Sequence, residues 1–201
     1  MSLFEREKKI VDDIMEDYKV GKVDLFGNKV GEWKHYRKDN TLESIQTYGD
    51  VNMPFKYYYK NGNLYQEGTF VSKETTDFGN PISIRVGECK LYYETGELHT
   101  IYHNKVVQNP NLYSETRYLS LMDGPLTSYY STGEVLRTCN MRNDEIEGPY
   151  IIYNKDGSIG RKEIYKKREQ TDGEIKYGRS IDRGRAFSDV YSIMEISKHW
   201  Q

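Results

Sequence analysis

The chain has 201 residues, of which 36% are hydrophobic and 30% charged, with a formal net charge of −2. That balance excludes a global electrostatic pull toward nucleic acid or anionic lipid, and no apolar run approaches the ~20 residues of a membrane span. Tyrosine outnumbers phenylalanine 19 to 6, a choice that favours half-exposed positions where the ring packs and the hydroxyl meets water.

Residues 1–20 read as an N-terminal helical cap. Phe4, Val11, Ile14, Met15 and Tyr18 recur at three- and four-residue spacing among charged residues, which predicts an amphipathic helix over 3–19. Such a helix protects the open end of a sheet. The same stretch lacks the apolar core of a signal peptide. The two cysteines, Cys89 and Cys139, stand at strand positions outside any cysteine framework, so the expectation is a reduced, cytoplasmic protein. Residues 21–30, broken by Gly21 and Gly27-Asn28, read as a degenerate strand or turn.

From there to residue 165 the chain repeats itself. Five copies begin at Gly31, Met53, Gly87, Gly124 and Gly148. Two residues on, each has an apolar or aromatic side chain: Trp33, Phe55, Cys89, Leu126 and Tyr150. Five residues on, a tyrosine recurs at Tyr36, Tyr58, Tyr92, Tyr129 and Tyr153. Then come Asn40, Gly62, Gly96, Gly133 or Gly157 and, two further, an aliphatic residue. Asp39-Asn40, Asn61-Gly62, Thr95-Gly96, Thr132-Gly133 and Asp156-Gly157 tolerate positive φ, as a tight hairpin turn demands, and the β-branched and aromatic flanks suit strands. A lone hairpin is marginal in water, so the copies must pair into one sheet. At two strands per copy, the expectation is ten strands, a sheet on the order of 50 Å long.

This pattern resembles the MORN repeat, and more closely the bacterial variant found in proteins labelled YwqK-type antitoxins, over roughly Gly31 to Tyr165. The expected fold is all-β, an elongated antiparallel meander of hairpins, with short helices at both termini read from apolar spacing and capping; the resemblance implies a repeat scaffold. It also implies use as a scaffold for protein or membrane contacts, with an antitoxin role transferred from the label alone.

The copies are spaced 22, 34, 37 and 24 residues apart. Insertions at 71–81 and 105–111, the second bearing Asn109-Pro110-Asn111, enlarge two of the units, lengthen their strands and supply candidate contact loops. Past Tyr165, residues 166–201 form a basic C-terminal segment. Between Arg161 and Arg185 nine basic residues face five acidic ones, +4 against −6 for the rest of the chain. Ser188-Asp189 then reads as an N-cap for a short helix carrying Val190, Ile193, Met194 and Trp200.

Side chains alternate across a strand, so Trp33 and its equivalents fall on one face and the recurrent tyrosines on the other. Alternation also assigns Tyr59, Tyr93 and Tyr130 to the Trp33 face. The rings are either cross-strand packing ladders or a trough that grips a partner. Candidate partner-binding residues are therefore Tyr36, Tyr58, Tyr92, Tyr129 and Tyr153, with Lys166, Lys167 and Arg168. His99 and His103 lie about 13 Å apart along one strand, too far to share a metal, and no zinc spacing accompanies them. No nucleophile elbow or phosphate loop is present, and Glu88, Glu97 and Glu134 stand in or beside turns without a partner. The expectation is a module that is not an enzyme and has no cofactor and no metal. A protein partner is expected and nucleic acid is not; a membrane surface, carbohydrate binding, a scaffold role and self-association stay open.

Overall fold

A computed structural model describes residues 6–11, 17–49, 51–74, 81–110 and 117–165. The chain divides into two units, Met1–Lys167 and Arg168–Gln201, and the second lies outside the described residues. So do the C-terminal helix, Lys166, Lys167, Arg168 and most of the basic segment.

The described residues form one antiparallel meander sheet of 13 strands rather than ten. In chain order these are β1 (Arg6–Val11), β2 (Tyr18–Val23), β3 (Lys29–Tyr36), β4 (Leu42–Tyr48), β5 (Asn52–Tyr58), β6 (Leu64–Glu74) and β7 (Pro81–Tyr92), then β8 (Leu98–Gln108), β9 (Tyr118–Met122), β10 (Gly124–Tyr129), β11 (Val135–Arg142), β12 (Glu145–Tyr153) and β13 (Ile159–Tyr165). Neighbours in sequence are neighbours in the sheet, except around β8. Its C-terminal half pairs β9 and its N-terminal half pairs β10. The first insertion extends β6 and β7 as a paired ribbon, and the second extends β8 against β9.

The helix expected over residues 3–19 is not present in its described part. Arg6–Val11 and Tyr18–Val23 are instead paired antiparallel strands. Helical spacing of a few apolar residues is a weak signal, and an unpaired β2 backbone offers six consecutive partners. Lys9 reinforces the pairing, its ammonium 4.1 Å from the Tyr18 ring centre. Gly21 and Gly27, which look like breakers, belong to a sixth and degenerate copy of the repeat, β2 to β3.

All six copies turn in the same way. In the last, Gly157 N donates to Asn154 O and Asn154 N to Ser158 O; the pattern recurs at Asp24, Arg37, Tyr59, Tyr93 and Tyr130. Only the fourth residue of each turn has positive φ, for example Asn40 at 65° and Gly157 at 82°. These are type I turns followed by one left-handed residue, not two-residue turns with both residues left-handed. A true two-residue turn of that kind occurs between copies, where Asn143 and Asp144 have φ of 52° and 67° and join β11 to β12. One residue after each turn is extra, so the register shifts there in five hairpins, beginning with Glu43 in β4.

Alternation gives the sheet two unlike faces. Trp33, Phe55, Cys89, Leu126 and Tyr150 are all buried, Phe55 and Tyr150 at 1% exposure. Burial of each large side chain contributes roughly 1.5–3 kcal/mol. They pack along the sheet: Phe55 lies 4.2 Å from the Phe70 ring centre and 5.3 Å from Tyr57. Two glycines make room for the rings. A Cβ on Gly21 would lie 2.3 Å from the Trp33 ring, and one on Gly68 would lie 2.6 Å from Cys89 Sγ and 2.9 Å from Phe55.

Candidate functional site

The recurrent tyrosines Tyr36, Tyr58, Tyr92, Tyr129 and Tyr153 stand on the face opposite Trp33, one per hairpin, and all are half-buried. Their surroundings differ along the sheet. Tyr36 stacks on Tyr18 with ring centres 5.0 Å apart. The Tyr92 hydroxyl donates to Glu67 at 2.7 Å, and burial together with that carboxylate pushes its pKa up to about 12. Tyr153 lies 3.5 Å from the Thr138 hydroxyl. Between them run paired charges: Lys34–Glu32, Lys56–Glu67, Lys90–Glu88 and Lys105–Asp123, at 3.5, 3.9, 3.3 and 2.6 Å. Lys166, Lys167 and Arg168 lie outside the described residues.

The residue after each recurrent tyrosine has a task that the repeat alignment did not reveal. Arg37 Nη2 donates to Tyr58 O at 2.6 Å, the Tyr59 hydroxyl to Tyr92 O at 2.8 Å, Tyr93 to Tyr129 O at 2.7 Å and Tyr130 to Tyr153 O at 2.9 Å. Each copy thus bonds the main chain of the next. Tyr59, Tyr93 and Tyr130 are therefore links between hairpins at the turn row. Six residues further along, the extra residue supports three of the four links. Glu43 pairs Arg37 at 3.7 Å, Tyr65 meets Tyr59 edge-on at 5.0 Å and His99 meets Tyr93 at 4.5 Å. Recurrence of an aromatic at this offset in two copies was the available signal.

Polar contacts also join copies on the Trp33 face. Gln46 donates to Tyr57 at 3.0 Å and Gln66 to Tyr102 at 2.7 Å, while Thr100, Ser128 and Arg137 form a buried chain with bonds of 3.0 and 3.1 Å. The Glu43 carboxylate is buried within 2.7 Å of His35 Nδ1. Burial works against its charge, but the His35 bond and the charges of His35, Arg37 and Lys19 prevail, holding its pKa below the ordinary value.

At the β2–β4 end of this face lies a small, half-open pocket lined by Lys19, Lys29, Trp33, Lys34, His35, Ser44, Gln46 and Tyr48. The Lys29 ammonium rests 4.8 Å from the Trp33 ring centre and 5.0 Å from that of Tyr48. Burial, followed by the like charges of Lys19 and Lys8, lowers its pKa. Nearby, the β2–β3 turn exposes Leu25 and Phe26 at 69% and 89%. The other five turns carry polar tips.

His99 and His103 are held apart by different partners, His99 by the Tyr93 ring and His103 by Pro125 O at 3.2 Å and Glu88 at 3.8 Å. Among the described residues no group of three or more His, Cys, Asp or Glu side chains is placed to hold a metal. Cys89 and Cys139 are unlinked and buried. Burial raises both thiol pKa values, that of Cys139 to about 11. Among the described residues no helix is long and apolar enough to cross a membrane.

These features define a hairpin-repeat sheet with one packed face and one half-exposed tyrosine face. The family described as MORN repeat variant matches residues 52–72 and 85–103, which fall in the copies starting at Met53 and Gly87. No curated protein matches the chain. The two matched repeats are consistent with a non-enzymatic repeat module.

Proposed function

We propose that the chain is a protein-interaction module that binds a partner along its tyrosine face, in the manner of an antitoxin or immunity factor occluding a cognate protein. The observation that carries this reading is the regular presentation of one half-buried tyrosine per hairpin, interleaved with ion pairs. Aromatic side chains supply the contact area and the surrounding charges select the partner. A reducing compartment suits the unlinked Cys89 and Cys139. The test is a pull-down of the products of adjacent genes with the wild-type chain and with Tyr92→Ser/Tyr129→Ser. The hairpin ladder enters these positions through their main-chain carbonyls, so the substitutions leave it in place. Loss of a stoichiometric partner while the fold survives supports the reading. Loss of the fold, or no stoichiometric partner for the wild type, refutes it.

A second reading, peripheral membrane contact, is favoured by Leu25 and Phe26, exposed apolar tips of the β2–β3 turn, at the edge of the sheet opposite the other five turns. Sedimentation with anionic liposomes that is lost in Leu25→Ser/Phe26→Ser supports it. Failure of the wild type to sediment removes it.

A further inference from the structure

Lysines on the two faces of the sheet are treated differently. On the tyrosine face Lys34, Lys56, Lys90 and Lys105 each have a carboxylate within 4 Å. Lys8, Lys19 and Lys29 have no described carboxylate within 4 Å; Lys19 acts on the buried Glu43 carboxylate from further away, and Lys19 and Lys8 both act on Lys29. Lys29 is half-buried, its ammonium over the faces of Trp33 and Tyr48. The charges of Lys19 and Lys8 repel the Lys29 ammonium, and partial burial strengthens the repulsion. An incoming negative group relieves both the repulsion and the lost hydration.

The geometry also speaks to the size of the anion. Lys19 and Lys29 come from the adjacent strands β2 and β3, but Lys29 pairs with Val23, four residues beyond Lys19, so their Cα atoms lie roughly 14 Å apart. That is wider than one carboxylate or phosphate. An extended peptide places side chains of one side every ~6.7 Å, so two acidic residues four positions apart cover the span. The rings of Trp33 and Tyr48 offer the methylene groups of such side chains an apolar floor.

We propose that the pocket formed by Lys19 and Lys29 over Trp33 and Tyr48 seats an acidic, carboxylate-bearing segment of the protein partner. This rests on the protein-binding reading and assigns part of the partner's chemistry.

The probe is a fluorescein-labelled hexaglutamate peptide titrated with the full chain and followed by anisotropy. In a Trp200→Phe chain, Trp33 emission gives a second readout. Saturable binding that weakens with salt, changes Trp33 emission and drops about tenfold or more in Lys19→Ala/Lys29→Ala supports the proposal. Lys155→Ala/Lys162→Ala at the β12–β13 end of the sheet leaves binding unchanged. Removing Lys29 relieves a crowded charge, so the variant keeps or exceeds the wild-type midpoint; Lys29→Met retains the stem if Ala unfolds the chain. Absent binding overturns the proposal, as does binding indifferent to Lys19→Ala/Lys29→Ala or fully displaced by inorganic phosphate at equal charge. Binding only to phosphatidylserine vesicles, with none to the peptide, overturns it in favour of a lipid surface. Undiminished capture of a neighbouring-gene product by Lys19→Glu/Lys29→Glu refutes the pocket while leaving the protein-binding reading intact. If no product is captured by the wild type, that reading fails and the peptide titration still decides the pocket.

Discussion

Gly21→Ala gives the sharpest test of how the Trp33 face is packed. Gly21 has no positive φ, so alanine fits the backbone, and in a strand it should stabilise by roughly 0.5–1 kcal/mol through lost unfolded-state freedom. The new Cβ, however, would lie 2.3 Å from Trp33 Cδ2, 2.4 Å from Cγ and 2.5 Å from Cε2. Carbon atoms rest at about 3.5–4.0 Å, so the ring must retreat by more than about 1 Å. Trp33 is 3% exposed and its Nε1 donates to Lys22 O at 2.9 Å. Overpacking of that order costs about 1–3 kcal/mol, and losing the indole bond adds about 1 kcal/mol. A net destabilisation of about 2–3 kcal/mol is expected, a large share of a typical domain's stability. Urea unfolding of the Trp200→Phe chain, followed by circular dichroism and Trp33 emission, measures it. In a Trp33→Leu background the same substitution should be neutral or stabilising, because the ring is gone. A cost below about 0.5 kcal/mol in the Trp33 chain, or an equal cost in both backgrounds, would falsify the packing argument.

Tyr93→Phe removes the hydroxyl that bonds Tyr129 O and should cost about 1 kcal/mol, read as a lower urea midpoint with unchanged slope. A matching loss in Tyr129→Phe would contradict the main-chain ladder, since only its carbonyl takes part. Cys89 and Cys139 should resist Ellman's reagent at pH 8 in the folded protein and both react on denaturation, because burial raises both thiols. Rapid native labelling of either would show that the Trp33 face opens there. In the turn of the copy starting at Gly31, bonds from the Thr41 hydroxyl and main chain, then Lys60, hold Asp39 at about 2. A depressed carboxylate contributes stability that is present above its unfolded pKa near 4 and lost as pH falls through about 2. An NMR titration of Asp39 with a midpoint near 4 would remove that contribution.

The position of each hairpin was readable from the sequence because its demands are local. A left-handed residue at Asn40 or Gly157, a ring at Trp33 or Tyr150 and a tyrosine at Tyr36 or Tyr153 all fall within about twelve residues, where turn sterics and side-chain alternation act directly. That was enough to identify an all-β meander, place the recurrent tyrosines opposite Trp33 and locate the insertions that lengthen β6, β7 and β8. Lys166, Lys167 and Arg168 drew attention through charge alone, and no described geometry bears on them.

Contacts between copies were decided only by the tertiary structure. The ladder from Arg37, Tyr59, Tyr93 and Tyr130 joins residues 21 to 36 apart, and the variable spacing of the copies hides such pairs from any fixed frame. Strand character at Arg6–Val11 depended on the free edge of β2, a partner that residue spacing does not encode. The sixth copy, with Asp24 and Gly27 in its turn, lacked the recurrent tyrosine and so fell below the pattern, although backbone hydrogen bonds hold it in the same form. The pocket around Lys29 arose in the same way. Lys8, Lys19 and Lys29 are ordinary lysines in the sequence, and strand pairing alone brings them to one side of the sheet beside Trp33.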